Sequence, residues 1–121
     1  MPLVLIVDDN EKNRKLAQSV LSAAGFETLE AATGAEAVAM AVEHVPDVVL
    51  MDLQLPDIAG TEATRVLRGS ERTAGIPVVA VSAMPLEGTG GWLEDAGFAG
   101  SIEKPIRVAT FPDQVRRYCA G

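Results

Sequence analysis

The sequence predicts one α/β domain, an open parallel sheet of five strands, doubly wound with helices on both faces. Three observations carry this. Short, almost unbroken apolar runs recur at 3–7, 48–51 and 78–81, as strands covered on both faces require. Helix-period segments with recognisable caps lie between them, and that alternation calls for right-handed crossovers. The chain has 121 residues, enough for one core spanning residues 1–121 and not for two domains.

The elements follow in order. Residues 3–7 are all aliphatic and form the first strand. Leu16, Val20, Leu21 and Ala24 then recur at helical spacing, and Gly25 supplies a C-terminal stop. The run 26–31 alternates apolar and polar residues, which suits an edge strand with one face towards water. Thr33-Gly34-Ala35-Glu36 has capping-box spacing and opens a helix whose predicted apolar face is Val38, Ala41, Val42 and Val45. After the strand at 48–51, a helix over 61–68 ends at Gly69. Beyond the strand at 78–81 the pattern weakens. Gly88, Gly90 and Gly91 each cost roughly 1 kcal/mol relative to Ala in a helix interior, so the fourth helix is expected to be short or irregular, over about 92–96. A fifth strand at 99–103 and a last helix over 110–119 complete the set. Pro112 falls in the opening turn of that helix, where its missing N–H is tolerated.

Composition narrows the function classes. Lys and Arg number 10 against 17 Asp and Glu, a net charge of −7, which argues against a surface built to neutralise nucleic-acid phosphates. No apolar run approaches the roughly 20 residues that span a bilayer, so no membrane insertion is expected. Met1-Pro2-Leu3 lacks the basic start of a secretory signal. The lone Cys119 has no internal disulfide partner and fits a reducing, cytoplasmic setting. The expectation is a small acidic protein of the cytoplasm.

In open parallel sheets ligands bind beyond the carboxyl ends of the strands. Those ends carry Asp8-Asp9-Asn10, Asp52, Ser82-Ala83 and Lys104-Pro105. Two carboxylates about 4 Å apart repel by roughly 4 kcal/mol at an effective dielectric near 20, and one Lys104 cannot neutralise three. A hard divalent cation can, and Mg²⁺ favours one or two carboxylates, waters and a phosphate oxygen. Aspartate is also a nucleophile towards phosphoryl groups. Asp52, alone at the end of the central strand, is the candidate nucleophile, with Asp8 and Asp9 as the metal-holding pair and Ser82 and Lys104 as phosphoryl contacts. Taken singly, Asp-Asp-Asn also reads as a helix N-cap and Asp52 as a turn cap. Their joint occurrence at one rim favours the site.

These motifs, with Leu50-Met51-Asp52-Leu53-Gln54-Leu55-Pro56 and the following Gly60, resemble the response-regulator receiver domain, the CheY-like phosphoacceptor of two-component signalling. The likeness covers essentially the whole chain. Asp-Asn-Glu-Lys-Asn-Arg at 9–14 is more similar to DivK-like single-domain receivers and hybrid-kinase receivers than to those of transcription factors. The resemblance implies a flavodoxin-like sheet in the order 2-1-3-4-5. It implies Mg²⁺ held by Asp8 or Asp9, Asp52 and the backbone carbonyl of Gln54. It also implies phosphorylation of Asp52 by a histidine kinase or phosphotransfer protein, with Ser82 as switch hydroxyl, Lys104 on the phosphoryl group, and output by contact with a downstream protein partner.

Three features depart from the family pattern. Ser101 stands where receivers usually carry Tyr or Phe three residues before the Lys, and Phe98 is too far along the chain to substitute. The Gly-rich stretch 88–91 falls where the fourth helix normally begins, and Pro112 enters the last helix. Mobility of 84–92 in place of a rotating aromatic is one expectation, and a merely longer loop is the other. Gly88-Thr89-Gly90-Gly91-Trp92-Leu93 fails as a dinucleotide fingerprint because Leu93 replaces its third Gly. Trp92 reads as a hydrophobic contact of the short fourth helix. His44 reads as a solvated or helix-capping residue, and Arg116 and Arg117 as partners of a helix dipole. A phosphorylation-independent protein-binding module, and an Mg²⁺-dependent aspartyl-phosphate phosphatase lacking the usual second acid at Gln54, remain alternatives to the phosphoacceptor.

Overall fold

The computed structural model describes residues 2–53, 55–82 and 96–119. Five parallel strands, β1 (Leu3–Val7), β2 (Glu27–Ala31), β3 (Val48–Asp52), β4 (Val78–Ser82) and β5 (Gly100–Glu103), lie in the order β2-β1-β3-β4-β5. The described helices are α1 (Glu11–Ala23), α2 (Gly34–His44), α3 (Gly60–Arg68) and the C-terminal α4 (Phe111–Tyr118). The expected short helix at 92–96, the Gly-rich stretch, the 84–92 segment, Trp92, Ala83 and Gln54 lie wholly or mainly outside the described residues.

Alternation along each buried strand divides the core in two. Leu5, Val7, Val49, Met51, Val78 and Ala80 face one side, where they meet Ala37 and Ala41 of α2 and Ala63 and Leu67 of α3. Val4, Ile6, Val48, Leu50, Val79 and Val81 face the other, against Ala17 and Leu21 of α1 and Phe111 and Val115 of α4. β3 and β4 are buried at every residue, whereas β2, at the sheet edge, is mostly not.

The helix faces differ from the expectation. Leu16 is 43 % exposed, and Ala17 takes the buried position beside Leu21. On α2, Val42 and Val45 are exposed, while Ala37 and Ala41 are fully buried and Val38 is only partly so. Small residues let the helix axis approach the sheet, so the alanines, not the bulkier valines, turn inward. The caps fall where expected. Asn10 accepts from the backbone N–H groups of Lys12 and Asn13, Thr33 accepts from Glu36 N–H, and Gly25 follows α1 with φ +93°. His44 closes α2 beside Glu43 and stays largely exposed. Pro112 occupies the first turn of α4. Arg116 lies over the Phe26 ring at 5.2 Å and donates to the Ala24 carbonyl, joining α4 to the end of α1.

Gly60 opens α3 directly behind the end of β3. A Cβ there would stand 2.2 Å from the Asp52 carbonyl oxygen and 2.9 Å from Leu53 Cα, both rigid backbone. Gly60→Ala is therefore expected to lower stability by about 1–3 kcal/mol. Gly75→Ala, with nothing within 4 Å of the added atom, should be neutral or slightly stabilising. Urea unfolding of both variants checks the pair.

Candidate functional site

The site follows from strand register. β1 and β3 pair in parallel with Val7 opposite Met51, so the next residues along, Asp8 and Asp52, arrive side by side. Both continue the face that carries Ile6 and Leu50, because successive side chains alternate. Neighbouring strands are only about 4.8 Å apart. Two carboxylates at the same level of adjacent strands have no choice but proximity. The oxygens of Asp8, Asp9 and Asp52 lie within 4.8 Å of one another, and both Asp8 and Asp52 are buried while Asp9 is exposed.

Lys104 enters from the end of β5. Its Nζ donates to Asp8 Oδ2 at 2.7 Å and to Asp52 Oδ2 at 3.3 Å. Its backbone N–H donates to the Ser82 carbonyl at 2.8 Å, and the peptide to Pro105 is cis. Burial acts to lower the Lys104 pKa. The hydrogen bond with Asp8 and the Coulombic attraction of Asp52 and Asp8 outweigh it and hold the pKa above the ordinary 10.5. Ser82, the last residue of β4, is buried at the same rim of the sheet.

Asp8 is fixed on every side. Its N–H donates to Ala31 O at 3.1 Å, extending the ladder to β2. Asp8 Oδ1 accepts from Asn10 N–H at 2.9 Å, and its carbonyl accepts from Arg14 Nη1 at 2.7 Å. The loop leaving Asp52 is held at a distance. Asp57 Oδ1 accepts from Gly34 N–H at 2.8 Å and Oδ2 from Ala35 N–H at 3.0 Å, which lowers the Asp57 pKa, and Ile58 occupies the space a side chain at Gly34 would need. Sequence reading placed Asp8, Asp9, Asp52, Ser82 and Lys104 at one rim, and the structure brings them there. It missed Asp57, an unremarkable acidic loop residue. It also left Arg14 without a role, although a cation near the start of a helix opposes the macrodipole and signals an outside partner.

Hard carboxylate oxygens so close together, with one ammonium among them, fit a hard divalent cation in donor chemistry and spacing. Among protein families, the response regulator receiver domain matches residues 4–116. This chain belongs to that family. The receiver is 41 % identical over 115 residues to the polar-differentiation response regulator DivK of Brucella ovis, covering 95 % of this chain and 94 % of that one. DivK of Brucella anthropi is 40 % identical over the same share of each chain. Among solved structures, the chemotaxis response regulator CheY4 of Vibrio cholerae superposes with a TM-score of 0.91, at 27 % identity over 98 % of both chains. The receiver domain of a sensor histidine kinase from Pseudomonas aeruginosa has a TM-score of 0.87 at 30 % identity, covering 97 % of this chain and 96 % of that one; it carries a magnesium ion coordinated in its active-site cleft. The protein is thus a receiver domain of two-component signalling, with no helix among the described residues long and apolar enough to cross a membrane.

The departures from the family pattern are local. Phe98 is buried, a member of the core layer that includes Leu67 and Ile76, and Ser101 itself carries no ring. Ser101, half-buried on β5, lines an open cleft of about 610 Å³ together with Glu103, Arg107, Thr110 and Arg117.

Lys104 pairs with both Asp8 and Asp52, so Lys104→Met should cost about 3 kcal/mol or more by leaving two buried carboxylates without its charge. Because the folded-state pKa of Lys104 is raised, its contribution is fully present below the ordinary 10.5 and is lost as pH rises through the higher folded value. The stability difference between wild type and Lys104→Met should hold steady from neutral pH upward and close in strong alkali, as pH-dependent unfolding curves of the two would show.

Proposed function

We propose that this receiver accepts a phosphoryl group on Asp52 and signals by protein contact. The observation that carries the reading is the Lys104 ammonium bridging Asp8 and Asp52 at the carboxyl ends of β1 and β3. That arrangement holds a nucleophile beside a cation able to change partners.

The donor is a phosphohistidine of a histidine kinase or phosphotransfer protein. An Asp52 carboxylate oxygen attacks phosphorus, an O–P bond forms and the N–P bond breaks. The electron pair leaves with the imidazole nitrogen, which takes a proton from solvent. Lys104 passes from the Asp52 carboxylate to a phosphoryl oxygen while keeping Asp8, and the Ser82 hydroxyl donates to another. Asp8, Asp9 and Asp52, with the carbonyl of Gln54, would hold Mg²⁺, which when bound supplies positive charge opposite the phosphoryl oxygens. Gln54 lies outside the described residues, and its part rests on the family pattern alone. The chain acts in this reading as one receiver unit over 1–121, in the cytoplasm.

A surface for the donor adjoins the site. Leu16 on α1, an exposed leucine, borders a mostly apolar cleft of about 230 Å³ that it shares with Asn13, Pro105, Ile106 and Lys104. An amphipathic donor helix laid there would present its histidine towards Asp52.

Incubation with a small-molecule phosphodonor and Mg²⁺ should add one phosphoryl group by intact mass, and Asp52→Asn should add none. Steady turnover of phosphomonoesters would instead indicate a phosphatase. Partner binding that is unchanged by Asp52→Asn would indicate a phosphorylation-independent module.

A further inference from the structure

We infer that Arg14 and Glu30 form a positioning pair for the cation site, orienting the Asp8–Asp9 peptide from the neighbouring edge strand. The inference rests on Asp8 and Asp9 being metal ligands, as proposed above.

Arg14 sits on the second turn of α1 with its side chain 17 % exposed. Its Nη1 donates to the Asp8 carbonyl at 2.7 Å, and its Nε lies 3.4 Å from Glu30 Oε1 on β2. The guanidinium fork makes both contacts from one rigid plane, which fixes their relative direction more closely than a freely rotating ammonium does. The carbonyl it holds belongs to the peptide plane joining Asp8 to Asp9. Rotation of that plane swings the Asp9 side chain. Asp8 is otherwise secured by Ala31 O, Asn10 N–H and Lys104. Asp9, exposed, is placed chiefly by the backbone on either side of it. Glu30 holds Arg14 against the macrodipole of α1, which alone would push a cation away from this end of the helix.

Electrostatics and positioning give opposite signs here. Arg14→Met removes a positive charge near a cation site, so through-space electrostatics alone would tighten Mg²⁺ binding. Loss of positioning weakens it, by about 10-fold if the pair acts as outer-shell partners of metal ligands commonly do. Glu30→Gln removes a negative charge, and both effects then weaken binding. Because the two residues position the site as one unit, the positioning loss is not incurred twice, and the double variant should lose less affinity than the two single losses combined.

The test is calorimetric titration of the intact protein with Mg²⁺, well below the melting temperature. Asp47→Ala serves as the structural control, since Asp47 Oδ2 accepts from Leu3 N–H at 2.7 Å at the opposite end of β1. The expected result is weaker Mg²⁺ binding in Arg14→Met and Glu30→Gln, without additivity, and unchanged binding in Asp47→Ala despite its lower stability. Binding in Arg14→Met as tight as wild type, or tighter, overturns the positioning role. Should Arg14→Met not fold, Glu30→Gln with unaltered binding overturns it equally. Wild type that takes up no Mg²⁺ would overturn the cation site itself, and this inference with it.

Discussion

Asp8 and Asp52 stand on adjacent parallel strands, at the same level and on the same face, and every other part of the site answers to that constraint. At the observed spacing of less than 4.8 Å, the pair repels by roughly 3–4 kcal/mol at an effective dielectric near 20. Hydrophobic packing of β1 and β3 on both faces holds the strands in register against this repulsion. Lys104 is drawn between the two carboxylates and carries charge of the opposite sign to them both. Under the proposed function, the repulsion that remains is what makes the rim receptive to a cation and, through it, to a phosphoryl group. The chemistry is thus a consequence of register.

The surrounding contacts divide into those that hold the backbone and those free to change. Gly60 lies against the Asp52 carbonyl, Asp57 ties the following loop to the start of α2, and Arg14 grips the Asp8 carbonyl. All three act on backbone geometry. Among the described residues the Lys104 ammonium is hydrogen-bonded to carboxylate oxygens alone, partners it can exchange without disturbing the sheet. In the proposed function, a phosphoryl group arriving at Asp52 is sensed first through Lys104 and Ser82, at the ends of β5 and β4. The half-buried Ser101 lines an open cleft on that side of the protein, and the proposed function would offer that surface for onward contact.

The strands were legible almost to the residue because strands buried on both faces leave nearly continuous aliphatic runs, as at Leu3–Val7 and Val78–Ser82. The site residues were legible because they stand at the ends of those runs. Helix faces were harder to read. Helical spacing placed Leu16, Val42 and Val45 in the core with Ala41; Ala41 is there, but close approach to the sheet selected Ala17 and Ala37 in place of the bulkier residues. Arg14 and Asp57 were invisible for another reason. Their partners, Glu30 for one and Gly34 and Ala35 for the other, come from different elements, and no local pattern marks a contact that only the tertiary fold creates.

The central claim is that strand register creates a carboxylate cluster short of positive charge. Thermal unfolding of wild type with increasing Mg²⁺ tests it most directly, because a ligand that binds only the folded state stabilises it in proportion to the logarithm of its concentration beyond Kd. The account predicts a melting temperature that climbs steadily with Mg²⁺ and a response largely lost in Asp9→Asn. A melting temperature indifferent to Mg²⁺ would contradict it.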